Sequence, residues 1–164
     1  MAPLVVLTLG LAAAVVTDVR TRRIPNWLTG SIAGAGFGLA FGGGTVTPLQ
    51  AALGLLTGLL LMMPGHLIGA TGAGDVKLMA AVGSVVGPDL AFRAFLYSAV
   101  AGGVFAVAVA MHRGILTSTL QDAGRLVTSP AGARQAIESP SRANRFAYGP
   151  AIAAGTLVSM MVTL

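Results

Sequence analysis

Asp18, in "TDVRTRRIPNW", and Asp75, in "GATGAGDVKLMAAVG", each stand where a long apolar run meets a short polar stretch. The chain has only five acidic residues in 164, so each carries information. Ionisable groups at a membrane boundary are costly to keep and are usually functional. Two carboxyl groups brought side by side cannot both ionise easily, so they share a proton. One can then take a proton from water while its protonated partner supplies one, which suits hydrolysis of an amide bond. Simpler roles stand beside this one. Asp75 can cap the helix that follows "GAG", where an anion is favoured, and Asp18 can pair with Arg20, Arg22 or Lys77. The other acids do not compete: Asp89 falls in a turn between apolar segments, and Asp122 and Glu138 lie in a basic stretch and read as solvated charges.

What must position the two aspartates is a membrane-embedded helical bundle. Hydrophobic residues make up 55% of the chain and charged residues 9%. With a mean hydropathy of +0.84, this is far too apolar for a soluble domain of this length. No cysteine is present, which excludes disulfides, thiolate metal sites and cysteine nucleophiles. His66 and His112 are too few for a conventional zinc site, and neither a metal nor a cofactor is expected. Nothing points to nucleic acid as a partner. Six apolar segments are expected at about 3–17, 27–41, 49–69, 78–87, 91–111 and 146–164, the fourth markedly short. They imply an all-α, polytopic membrane protein forming one domain over 1–164. Glycines recur within the segments, as in "GSIAGAGFG" and "SAVAGGVFA", and are read as sites of close helix contact.

Charge sets the orientation. With six crossings and both termini outside, the loops at 18–26, 70–77 and 112–145 face the cytoplasm and hold nine of the ten basic residues; only Arg93 falls outside them. The first segment is a retained helix rather than a cleaved signal, because Arg20, Arg22 and Arg23 follow its apolar core instead of preceding it. In the loop 112–145, Leu116, Leu120, Ala123 and Val127 follow helical spacing beside Arg113 and Arg125. An amphipathic helix on the inner membrane surface and a solvated linker both fit. This topology puts Asp18, at the end of the first helix, and Asp75, at the start of the fourth, on the same cytoplasmic side.

"DVRTRRIPNWLT" and "GAGDVKLMAAVG" resemble the paired signatures of the type IV prepilin peptidases and the related archaeal preflagellin peptidases. Gly72 to Asp75 match the GxGD pattern of that family, and Ile24, Pro25 and Asn26 follow the upstream aspartate as in the family. "FAYGPAIAAG" is similar to the family's last-helix segment, so the likeness spans nearly the whole chain. The resemblance implies a membrane aspartic endopeptidase of the prokaryotic inner membrane, which removes short basic leaders from pilin-like precursors at the cytoplasmic face. Asp18 and Asp75 correspond to the catalytic aspartates, while Gly72, Gly74, Lys77, Pro25 and Asn26 correspond to supporting positions. Gly72 and Gly74 would let backbone and substrate approach Asp75, and Lys77 is read as positioning or charge balance. The cysteine-bearing methyltransferase region of the bifunctional members is missing. The chain therefore resembles the short branch that serves Flp-type tight-adherence pili, and N-methylation is not expected.

Further expectations concern the surroundings of the aspartates. The fourth segment, about ten residues long, rises only about 15 Å as a helix. Asp75 is therefore expected in a recessed cleft bounded by helices 1, 3 and 4, with Pro64 and Gly65 bending helix 3. His66 is read as satisfied by backbone carbonyls at that bend, and Trp27 as an interfacial anchor. The helix dipole favours the anion at Asp75, which opens a helix, and disfavours it at Asp18, which closes one. Asp75 is thus expected to be the charged base and Asp18 the proton carrier. A reading of another class is a small proton-coupled transporter, with the two aspartates and Lys77 as a relay. The acids cluster at one face rather than the midplane, and no inverted repeat is evident.

Overall fold

The computed structural model describes residues 2–67, 69, 71–112 and 148–162, and all regular structure among them is helical. Six helices follow in order: α1 (Ala2–Thr21), α2 (Asn26–Phe41), α3 (Pro48–Leu67), α4 (Ala73–Val86), α5 (Pro88–His112) and α6 (Gly149–Met161). Among the described residues the all-α expectation is met. Three helices among the described residues are long and apolar enough to cross a membrane: α1, α3 and, in α5, the stretch Pro88–Val109. The surface helix expected between 112 and 145 lies outside the described residues.

Local chemistry explains where the helices begin and end. α1 stops at Arg22, whose φ of 51° is left-handed and whose N–H still reaches the Asp18 carbonyl at 2.8 Å. The chain then turns through extended Pro25, whose carbonyl accepts the N–H groups of Leu28 and Thr29 and so starts α2. α3 opens on a reciprocal cap: Thr47 N–H donates to Gln50 Oε1 at 2.9 Å, and Gln50 N–H donates to Thr47 Oγ1 at 3.2 Å. Pro48, which has no N–H to lose, occupies the first helical position. Gly87, with φ of 82°, turns α4 directly into α5.

α4 is the centre of the bundle. Val76 and every residue from Leu78 to Val86 are buried, and the helix packs against α1, α2, α3, α5 and α6. It is longer than the sequence suggested, because "AGDVK" forms its first turns instead of a loop. Its 14 residues rise about 21 Å, still short of a hydrocarbon core about 30 Å thick. A helix wrapped by protein need not match the lipid, and the three helices long enough to cross, α1, α3 and α5, lie outside it. Their outward residues, Leu9, Val16, Leu60 and Val104 among them, are exposed and aliphatic.

Inside, packing relies on small groups. Ser84, Ser98 and Thr156 are fully buried, and each hydroxyl donates to a carbonyl of its own helix, at 2.7, 2.6 and 2.7 Å. Gly54 of α3 and Gly83 of α4 touch backbone to backbone, so a methyl group on either would strike the other's carbonyl oxygen. Gly155 of α6 meets the backbone of Ser98 on α5 in the same way. Of the glycines in "GSIAGAGFG" and "SAVAGGVFA", Gly36 packs against Ser84 and Gly102 against Tyr148, whereas Gly30, Gly34, Gly38 and Gly103 have nothing within 4 Å of where a Cβ would lie, so close helix contact accounts for only part of the recurrence.

Candidate active site

Asp18 lies in the last turn of α1 and Asp75 in the first turn of α4, and both are buried, at 6% and 7% exposure. They lie within electrostatic reach of each other. Each carboxylate also takes one backbone N–H from a glycine. Gly72 donates to Asp75 Oδ2 at 3.1 Å, closing the start of α4. Gly149 donates to Asp18 Oδ2 at 2.9 Å, across 131 positions of sequence. The capping role considered for Asp75 is therefore real, and it coexists with proximity to Asp18.

The bond from Gly149 changes two expectations. α6 begins at Gly149, so the α6 start forms a wall of the site in addition to the α1, α3 and α4 walls expected from sequence. Asp18 closes α1 but also sits at the N-terminal end of α6. The dipole contrast that marked Asp75 as the charged partner is therefore lost, since both carboxylates stand at a helix start. Tyr148, the residue before α6, is half-buried within electrostatic reach of Asp75 and donates its hydroxyl to the Ser98 carbonyl at 3.1 Å. Neither Tyr148 nor Gly149 was singled out from the sequence. Their signal was the "YGP" triplet, whose glycine has space only because it lacks a side chain: a Cβ there would lie 2.8 Å from Asp18 Oδ2.

The supporting positions interlock. A Cβ on Gly74 would come within 3.2 Å of Ile24 Cβ and 3.4 Å of Ile24 N, so the glycine admits the chain that leads from α1 to α2. Lys77 Nζ donates to Asn26 Oδ1 at 2.9 Å, joining α4 to the first residue of α2. Pro25 fixes the extended entry to that helix. Gly72 leaves space for the Asp75 carboxylate, whose Oδ2 would lie 3.1 Å from a Cβ at that position. The stretch after Asp18 and the stretch around Asp75 thus form one unit with two points of contact, Ile24 on Gly74 and Asn26 on Lys77.

His66 stands as the sequence suggested. His66 Nδ1 lies 3.1 Å from the Thr71 carbonyl oxygen, a contact that requires a proton on that nitrogen. Trp27 is exposed at the start of α2, in keeping with an interfacial anchor. Among the described residues no three His, Asp or Glu side chains converge as a metal-ligand set.

Comparison with curated proteins and with solved structures gave no match. The family described as "Type IV leader peptidase family" matches residues 5–107, a stretch that includes α2, α3 and α4 together with both aspartates, while α6 lies beyond it. Since the match covers more than half of the chain, this multi-helix, membrane-suited protein belongs to the type IV leader peptidase family.

Proposed function

We propose that the chain is a membrane aspartic endopeptidase of the prokaryotic inner membrane, removing the short basic leader of pilin-like precursors at the cytoplasmic face. The observation that carries this reading is the pairing of Asp18 and Asp75, buried on neighbouring helix ends, each with Oδ2 held by a glycine N–H. Oδ1 of each is then the oxygen offered to water or substrate. The ionised partner takes a proton from water as the water oxygen bonds to the scissile carbonyl carbon, and the protonated partner gives its proton to the carbonyl oxygen. In the collapse of the resulting diol, the aspartate that took the water proton gives it to the leaving nitrogen as the C–N bond breaks, and the other aspartate takes the proton of a diol hydroxyl as the carbonyl re-forms, so the pair again holds one proton.

Gly72, Gly74, Pro25, Asn26 and Lys77 support the pair by fixing the backbone around it. The absence of cysteine fits the short branch serving Flp-type pili and an activity without N-methylation. The direct assay uses the purified protein in detergent with Flp-type prepilins, read by mass spectrometry. Release of the intact leader is expected, and failure to cleave any such precursor would sink the assignment.

Orientation is the second part of the proposal: six crossings, both termini outside and the aspartates on the cytoplasmic side. Cysteines introduced singly as Ser139→Cys and Thr45→Cys are expected to react with an impermeant thiol reagent from opposite sides, Ser139→Cys only from the cytoplasm. Reaction of both from one side would refute this topology.

A further inference from the structure

Arg93 is the basic residue that the charge asymmetry leaves unexplained, and in the structure it lies where two cavities meet. The first, about 300 Å³, is lined by Thr45, Gln50, Gly87, Asp89 and Arg93. That size is at the lower end of small-molecule sites, about 300–1,000 Å³. It lies at the end of the bundle opposite Asp75, separated from it by the length of α4. The second, about 390 Å³, runs along Leu96, Tyr97, Val100, Ser159 and Val162, between α5 and the end of α6, and it too is bounded by Arg93. One cavity is rich in polar groups and the other is mostly apolar, with a single guanidinium at their junction.

The polar groups have defined capacities. Gln50 Oε1 is engaged by the Thr47 N–H, so the group Gln50 offers outward is its NH2, a donor. Arg93 presents a planar set of donors suited to phosphate oxygens. Asp89, four residues earlier on α5 and exposed, is acceptor-only when ionised and suits a primary ammonium. Donors for an anion and an acceptor for a cation thus stand on one rim, above an apolar groove.

We propose that this junction binds one phospholipid with a phosphoethanolamine headgroup. The phosphate lies against Arg93 and the Gln50 amide, the ammonium lies against Asp89, and an acyl chain follows Leu96, Tyr97 and Val100. An ethanolamine ammonium can donate N–H bonds to Asp89, which a choline headgroup cannot. A glycerol headgroup supplies no positive charge and leaves the lipid's negative charge facing the carboxylate. A lipid phosphate would also explain an arginine on the outer side, where basic residues are few. The inference depends on membrane residence and not on the peptidase reading.

The test is native mass spectrometry of the full chain in detergent micelles containing equal amounts of phosphatidylethanolamine, phosphatidylcholine and phosphatidylglycerol. Phosphatidylethanolamine is expected to be retained at least about tenfold over either competitor, the scale of one hydrogen bond to a charged group. Arg93→Gln is expected to lower that retention by at least about tenfold, with an unchanged melting temperature. Asp89→Asn is expected to abolish the preference over phosphatidylcholine while retaining phosphate binding. Equal retention of the ethanolamine and choline lipids by the native chain would overturn the proposal. So would retention of phosphatidylglycerol as strong as that of phosphatidylethanolamine, or undiminished retention in Arg93→Gln.

Discussion

Asp18→Asn and Asp75→Asn are each expected to lower leader cleavage by about 100- to 10,000-fold, the range that positioned proton transfer contributes. Both variants should still insert and fold. Asparagine keeps an oxygen to accept the glycine N–H, from Gly149 in one case and Gly72 in the other, so the bonds at the starts of α6 and α4 can survive. What is lost is a group able to exchange a proton with water or substrate. The decisive measurement is the single-turnover rate of the purified variant on a Flp-type prepilin, beside its melting temperature in the same detergent. Cleavage within tenfold of the native rate in either variant, freed of native enzyme, would remove the paired-carboxylate mechanism. Lost cleavage accompanied by aggregation would assign the residue to the fold.

The second large effect is expected at Gly149, which has no side chain to act with. Gly149→Ala places a Cβ 2.8 Å from Asp18 Oδ2 and 3.2 Å from Asp18 Cβ, so the carboxylate must move and the bond from the N–H must lengthen. A hydrogen bond to a charged group is worth about 1.5–3 kcal/mol, which corresponds to a fall in kcat of roughly 10- to 100-fold. KM should hold, since the change falls on the proposed proton-transfer group. Putting glycolic acid at position 149 exchanges the N–H for an oxygen without adding a Cβ, and so isolates the donor from the steric effect. Native turnover with that ester would show that Asp18 is positioned by other means. An increase in KM at unchanged kcat would move Gly149 from positioning Asp18 to binding the substrate.

The two aspartates were legible in the sequence because charge is costly in an apolar chain, and the proposal that they face the cytoplasm rests on counting arginines and lysines. The helical class and the approximate position of each described helix came from the continuous apolar runs. The partner of Asp18 was not legible: a backbone N–H leaves no side-chain signature, and Gly149 is one glycine among 23. The start of α4 was placed late for a related reason. "GAGD" looks like a turn to anyone counting glycines, yet Gly72 and the Asp75 carboxylate close a helical turn on themselves. Lys77 and Asn26 were both marked as supporting residues, but their bond to each other depends on how α2 and α4 pack, which no local pattern states. The dipole contrast between the two aspartates was lost in the same way, because it considered only the helix carrying each aspartate and not the third helix, which begins against Asp18.

The burial of α4 on every side from Leu78 to Val86 sets how the protein meets membranes of different composition. A helix in contact with lipid answers a thicker or thinner bilayer by tilting or by deforming its surroundings, at a fraction of a kcal/mol per Å of mismatch. α1, α3 and α5 expose aliphatic residues and take up that adjustment. α4, enclosed by its neighbours and joined to α3 at Gly54 and Gly83, has no lipid contact through which thickness can act on it directly. The depth of Asp75 is therefore fixed by protein against protein, and the outer helices can tilt to suit the bilayer while the Asp75 carboxylate keeps its place within the bundle.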